Sequence, residues 1–282
     1  MKIAIWGAGN MGREIAQVFA KSGHTVLLFS SSIASAQKYR CILLQSLQRR
    51  IQTGKLTKDT AKLIASRITV PPKKSDTADA DLVLECIKED MAEKKLLLKQ
   101  LDGLCSPNTV FASNTSSLSI TEMGEGLKHS LIGMHFFNPA TTMKLVEIVK
   151  GRHTTQDVFK FIYDLSVEIG KEPIEVIEAP GFVVNKILIP MLNEAIHLVE
   201  MGVASPTDVD KAMQLGGNHP MGPLTLGDFI GWDICLAVMN TLFVETGDPK
   251  YCPSPLLKKM VRAGKLGRKS GIGFYNYREE LK

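Results

Sequence analysis

His135 and Glu147 are the pair whose types and spacing most directly offer chemistry. His135 closes a strand-like run and precedes Phe136-Phe137-Asn138-Pro139; Glu147 follows within Lys144-Leu145-Val146-Glu147-Ile148-Val149. Side chains alternate along a strand, so Glu147 shares its face with Leu145 and Val149. A carboxylate on an apolar face needs a partner. If 131–136 and 143–150 pair as a hairpin, Glu147 comes close to opposite His135. An imidazole oriented by a buried carboxylate is a general-base arrangement. The same spacing also fits a purely structural His–Glu pair.

The second constellation is Gly7-Ala8-Gly9-Asn10-Met11-Gly12. It follows the apolar run 2–6 and opens a helical pattern through Ile15, Ala16, Val18, Phe19 and Ala20 that stops at Gly23. Val26-Leu27-Leu28-Phe29 is a second strand. Strand, glycine turn, helix and strand make one βαβ unit, the context in which G-x-G-x-x-G points to a bound dinucleotide. Gly7 permits the tight turn, Gly9 lets the backbone approach a pyrophosphate, and Gly12 lets helix and strand pack closely. Asn10 and Met11 lie where the helix N-terminus presents its N–H groups and positive dipole. An acidic residue is expected at the end of the second strand to hold the ribose 2′-OH. Ser30, Ser31 and Ser32 stand there instead. Serine removes the charge that would repel a 2′-phosphate, and no Arg is adjacent; Lys38 and Arg40 lie further along. NAD and NADP both stay open on these residues.

These sites need a scaffold. A long helix is expected over 33–51, another over 91–102, and strands at 68–70, 81–86, 109–112, 131–136, 143–150 and 173–178. Alternating strands and helices give a parallel sheet wrapped by helices. After Pro180-Gly181 the pattern becomes helical: 182–201, 206–215 opened by Ser205-Pro206, about 222–246, and 254–263, with Gly273-Phe274-Tyr275 the next β-like run. The expected fold is α/β: a Rossmann-like, doubly wound, mostly parallel sheet over residues 1–183, then an all-helical domain over 184–282.

Composition narrows the function classes. The 282 residues carry 34 Lys+Arg, 29 Asp+Glu and 44% apolar residues, which excludes a disordered chain. The net charge of +5 is mild. No basic block is interleaved with aromatics, so nucleic acid is not an expected partner. Cys41, Cys86, Cys105, Cys235 and Cys252 are scattered, which reads as free thiols and no metal site. A membrane helix needs ~20 apolar residues; the best stretch, 181–201, is interrupted by Asn185, Lys186, Asn193 and Glu194. Met1-Lys2 runs directly into the first strand. A cytoplasmic protein without a signal peptide is the expectation.

Three longer segments carry a resemblance: Ser113-Asn114-Thr115-Ser116-Ser117-Leu118-Ser119, Gly133-Met134-His135-Phe136-Phe137-Asn138-Pro139 and Pro180-Gly181-Phe182-Val183-Val184-Asn185. With His219-Pro220-Met221-Gly222-Pro223 and Gly267-Arg268-Lys269-Ser270-Gly271, they make the chain resemble the L-3-hydroxyacyl-CoA dehydrogenases over nearly its whole length. The match is closest to the short stand-alone bacterial 3-hydroxybutyryl-CoA dehydrogenases.

The resemblance implies hydride exchange between a nicotinamide cofactor, NAD or NADP, and a short-chain L-3-hydroxyacyl-CoA, giving the 3-ketoacyl-CoA. It makes His135 the acceptor of the 3-hydroxyl proton and Glu147 the residue that holds its ring. Ser116 corresponds to the hydroxyl that bonds the reacting oxygen, and Asn185 to the amide that positions the substrate. Asn114 is assigned to the cofactor and Asn138 to the substrate. Glu89 and Lys94 fall near the nicotinamide ribose, although an exposed helix-start charge pair fits them equally. Arg49, Arg50 and Lys55 fall where CoA phosphates approach, although a solvated helix end fits them too. Ser30 departs from the family's acidic residue, and Lys186 from its usual Arg, which keeps the charge but loses bidentate geometry. A homodimer through the C-terminal domain is implied. Because Asn185 follows Pro180-Gly181 while Ser116, His135 and Glu147 precede it, the reacting centre is expected between domains that close on substrate. Two other readings compete: a dehydrogenase for a hydroxy acid without CoA, such as a sugar acid, and a catalytically idle nucleotide-binding or structural protein. The complete Ser116–His135–Glu147–Asn185 set argues against the first, and the intact His–Glu pair against the second.

Overall fold

An apolar run without polar alternation makes a strand that must be covered on both faces. In the computed structural model, which describes residues 1–278, residues 2–6 do this as strand β1 (Lys2–Trp6), inside an eight-stranded sheet, with Ile3, Ala4 and Ile5 wholly buried. The chain continues through α1 (Asn10–Lys21), β2 (Thr25–Phe29), α2 (Ile33–Gln52), α3 (Lys58–Arg67), β3 (Ile68–Thr69), β4 (Leu82–Glu85) and α4 (Met91–Asp102). Then follow β5 (Val110–Ser113), α5 (Ile120–Gly124), β6 (Leu131–Phe136), β7 (Leu145–Lys150), α6 (Gln156–Glu168) and β8 (Glu172–Ile177). The strand order is β3-β2-β1-β4-β5-β6-β7-β8. β6 and β7 are antiparallel and every other neighbouring pair is parallel. The order reverses between β1 and β4, and the crevice outside the carboxyl ends of strands at such a point is where open α/β sheets bind ligands.

Helix starts follow local chemistry. Ser32, Thr57, Asp90, Ser119 and Thr155 each accept a first-turn N–H with their side chains. Three helices, α3, α5 and α6, lie where the sequence predicts no element. Helix α3 buries only Ala61 and Ile64 among polar residues, so its apolar period is faint.

The chain divides into two compact units, one ending at Ala179 and the other beginning at Pro180; the expected division fell at 183/184. The second unit contains α7 (Val184–Glu200), α8 (Pro206–Gly216), α9 (Pro223–Ile230), α10 (Trp232–Thr246) and α11 (Pro255–Arg262). Its core gathers Leu192, Ile196, Leu224, Met239, Leu242 and Leu257 around a fully buried Trp232. The single helix expected over 222–246 is two helices. Gly231 has φ +106° and the axes bend by 96°. The bend seats Trp232 against α9 at Gly227, where a Cβ would come within 1.9 Å of the indole. Gly273-Phe274-Tyr275 is not a strand either. The Asp228 carboxylate takes the N–H groups of Phe274 and Tyr275, each at 3.0 Å, and only isolated bridges form nearby. Among the described residues, no single helix is long and apolar enough to cross a membrane; α9 and α10 reach that measure only together, across their bend.

Candidate active site

Parallel register places the ends of four strands in one row: Trp6 pairs with Phe29 on one side and Glu85 on the other, and Glu85 with Ser113. The glycine turn leaves this row. Gly7 has φ +116°, and a Cβ on it would sit 2.3 Å from the Cys86 carbonyl oxygen. A Cβ on Gly12 would sit 1.8 Å from the Gly7 carbonyl oxygen. The chain's own packing therefore demands both. Gly9 differs: nothing lies within 4 Å of its would-be Cβ. Gly9 is the N-cap of α1, without a side-chain cap and without an acidic residue in the first turn. Open space over a helix N-terminus with uncapped N–H groups fits a pyrophosphate. Asn10 accepts from Arg13 Nη2 at 2.7 Å, and Met11 packs on the sheet core. Ser30 Oγ lies 3.0 Å from Ser35 Oγ at the start of α2.

His135 and Glu147 face each other in the antiparallel β6–β7 register. His135 Nδ1 is 2.7 Å from Glu147 Oε2, and the side chains are 7% and 0% exposed. A wholly buried carboxylate beside Nδ1 fixes that nitrogen as the N–H donor, so Nε2 is the ring's acid/base nitrogen. The Phe137 ring packs 4.5 Å from the imidazole. The β6–β7 connection is clamped at both ends. Glu14 accepts the Ala140 N–H, while Lys171 Nζ donates to the carbonyls of Ala140 and Met143. Burial pushes the Glu14 carboxyl up and pulls the Lys171 ammonium down. Asn138, within this connection, is exposed. Asn114 Oδ1 accepts the Phe136 N–H at 2.9 Å and so ties the end of β5 to the strand that carries His135.

A second network lies beside it. Lys94 Nζ is 2.7 Å from Glu85 Oε1 and 3.2 Å from Glu89 Oε2. Glu85 also accepts from Ser113 Oγ at 2.5 Å and from the Ile87 N–H at 2.6 Å. One Glu89 oxygen accepts Thr115 Oγ1 at 2.6 Å, the Ser116 N–H at 2.9 Å and Ser116 Oγ at 3.2 Å. Burial lifts the Glu85 carboxyl, and Lys94 opposes it. Burial would also lift Glu89, but Lys94 and the bonds from Thr115 and Ser116 hold it below the usual range. Lys94 is held above its ordinary value by both carboxylates, against the effect of burial. The exposed charge pair expected as an alternative for Glu89 and Lys94 does not form, because Lys94 is 1% exposed. Sequence reasoning missed Glu85. Its signal was an acidic residue closing the apolar strand Leu82-Val83-Leu84-Glu85, the same kind of misfit that exposed Glu147.

Arg49 and Lys55 are exposed near the end of α2. Arg50 lines a cavity with Lys21, Lys144 and Lys171. Asn185 lies in the first turn of α7, in the second unit. Among the described residues, no cluster of three His, Cys, Asp or Glu could hold a metal ion.

Residues 2–179 match the family model for the NAD-binding domain of 3-hydroxyacyl-CoA dehydrogenase, and residues 181–277 match its C-terminal domain. The chain is 50% identical to a 3-hydroxybutyryl-CoA dehydrogenase of Clostridioides difficile, with 98% of this chain and 99% of that protein covered. It is 45% identical to a probable 3-hydroxybutyryl-CoA dehydrogenase of Bacillus subtilis, covering 99% and 98%. The crystal structure of an (S)-3-hydroxybutyryl-CoA dehydrogenase from Ralstonia eutropha superposes with a TM-score of 0.91 at 44% identity, covering 98% of each chain.

Proposed function

From the premise that this chain belongs to the 3-hydroxyacyl-CoA dehydrogenase family, we propose that it interconverts 3-hydroxybutyryl-CoA and acetoacetyl-CoA, with His135 as general acid/base. The observation that carries the residue assignment is the buried His135–Glu147 pair on the sheet that bears the glycine turn. The nicotinamide cofactor supplies the hydride acceptor, or in the reverse direction the donor. Gly7, Gly9 and Gly12 shape its pyrophosphate site, with Asn10 and Met11 in the same turn.

In the oxidation direction, His135 Nε2 takes the proton of the 3-hydroxyl. Glu147 holds the ring in the tautomer that can accept there and stabilises the imidazolium that results. Ser116 donates to the reacting oxygen. Glu89 holds Ser116 through its backbone N–H, so the hydroxyl can turn its one proton from Glu89 to the substrate oxygen, and Glu85–Lys94 fixes Glu89. In reduction, the protonated His135 returns its proton to the nascent alkoxide. We assign Asn185 to the same substrate oxygen and Asn138 to the substrate on the family motif. Exposed Lys55 and Arg49 are assigned to the CoA phosphates. A homodimer through the helical unit is assigned on the family resemblance; a solution mass of one chain would refute it.

The test is spectrophotometric. Acetoacetyl-CoA, free acetoacetate and each reduced nicotinamide are offered to the purified protein. Consumption of the reduced cofactor with acetoacetyl-CoA is expected. Turnover of free acetoacetate at an equal rate would favour a hydroxy acid without CoA, and inertness towards both would leave a nucleotide-binding protein.

A further inference from the structure

Strand β3 lies parallel to β2 and ends at Thr69, so the chain after it emerges beside the end of β2. That chain is Val70-Pro71-Pro72-Lys73-Lys74. Two consecutive prolines hold it extended and carry the two lysines to the serines that follow β2. Trp6, Ser30, Ser31, Ser32, Lys73 and Lys74 line one cavity there, and no acidic residue is among its lining residues. The N-terminus of the 20-residue α2 borders the same cavity through Ile33 and has no acidic residue in its first turn. Trp6 adds an independent observation. Its side chain is stacked on Phe29 at 4.3 Å, the residue is 6% exposed, and its Nε1–H has no hydrogen-bond partner. Lys74 Nζ stands 5.5 Å from the Trp6 ring and also donates to Gln100 Oε1 at 2.5 Å.

The cavity thus combines two ammonium groups, serine hydroxyls and a helix N-terminus, and one of its lining side chains, Trp6, carries a buried indole N–H without a partner. It lies at the end of the second strand, where a dinucleotide-binding fold meets the adenosine ribose. We propose that it takes the 2′-phosphate of NADP(H), with Lys73 and Lys74 as charge partners and Ser30 as a hydroxyl donor. The dehydrogenase then favours the phosphorylated cofactor. An acidic residue at position 30 would repel that phosphate; Ser30 does not, and the compensating cations come from the β3 side rather than from beside Ser30. The proposal rests on the reading of this chain as a nicotinamide-dependent dehydrogenase.

Calorimetric titration of the whole protein with adenosine fragments separates the two claims. Adenosine 2′,5′-bisphosphate is expected to bind roughly tenfold or more tightly than 5′-AMP, as charge-assisted contacts to a phosphate would give, with the gap narrowing as salt rises. Adenosine 3′,5′-bisphosphate, which carries the phosphate arrangement of CoA, can also occupy the CoA site, and its binding is expected to be unchanged by substitution of Lys73 and Lys74. Lys73→Met with Lys74→Met should remove most of the gap and leave 5′-AMP binding unchanged. Ser30→Asp should turn the preference towards NADH. Equal binding of adenosine 2′,5′-bisphosphate and 5′-AMP, or equal weakening of every fragment by the lysine substitutions, would overturn the proposal. If the fragment gap stands while acetoacetyl-CoA is not reduced with either nicotinamide, the dehydrogenase reading fails and the subsite survives. Equal reduction with NADH and NADPH and no fragment gap is the opposite result.

Discussion

Lys94 and Glu85 meet at 2.7 Å with side chains 1% and 0% exposed. Glu85 closes β4 and Lys94 lies on α4, so this contact joins the helix to the carboxyl ends of the strands, from which Ser113 and the glycine turn also lead. Glu89 takes a place on the same ammonium and grips Ser116. Ser116 is therefore tied through Glu89 to an ion pair inside the protein as well as to the loop that carries it.

Lys94→Met should leave two carboxylates without their cation. Breaking a buried pair by removing one partner typically costs ~3–5 kcal/mol, and a loss in that range is expected in denaturant unfolding. Lys94→Met combined with Glu85→Gln should cost less than the sum of the two single changes, because the second removes the stranded charge. Additive losses would show that the two groups do not depend on each other.

Glu147→Gln should keep the fold and slow turnover by roughly 10²–10⁴-fold, the usual weight of acid/base catalysis. The amide can still bond Nδ1 but cannot stabilise an imidazolium. The check is kcat for acetoacetyl-CoA reduction in a variant whose circular dichroism is unchanged. Near-normal turnover would remove Glu147 from the mechanism.

The His135–Glu147 pair was legible because strands have a period of two and a hairpin leaves few registers. Glu147 on an apolar face demanded a partner, and only His135 stood opposite it. Glu85 was hidden because its cation comes from a helix, where sequence spacing does not show which face turns inward. Nothing in the sequence around Lys73 and Lys74 places them beside the second strand. Only the two-residue β3 and its parallel pairing with β2 bring them to Ser30. The break at Gly231 was masked because apolar residues continue on both sides, and what bends the chain is the room Gly227 leaves for Trp232.

Gly9→Ala and Gly12→Ala should separate ligand space from packing space. A Cβ on Gly9 meets nothing in the protein, and φ there is −60°, which alanine adopts freely. Its melting temperature should be unchanged while affinity for nicotinamide dinucleotides falls. A Cβ on Gly12 would overlap the Gly7 carbonyl oxygen at 1.8 Å. Overpacking of that kind costs ~1–3 kcal/mol or more, so Gly12→Ala should lower both melting temperature and affinity. Undiminished cofactor affinity in Gly9→Ala would mean that the pyrophosphate lies elsewhere.

His24 should make the fold sensitive to mild acid. It is 3% exposed, and burial pulls its imidazole below the ordinary value of 6.5. Glu168, 3.5 Å from Nε2, and Asp81 pull the other way, while Arg67 and the N-terminal ammonium add to the effect of burial. The unfolded chain therefore binds the proton more readily than the folded one. Wherever that holds, stability rises with pH. The contribution of neutral His24 is complete above about pH 6.5 and is lost as pH falls through the lower folded value. His24→Gln removes the titration while keeping a polar side chain in place. The difference in unfolding free energy between wild type and variant should shift steadily against the wild type between pH 6.5 and 5, and stay level above pH 7. A difference that is flat across the whole range would show that His24 titrates alike in the folded and unfolded chains.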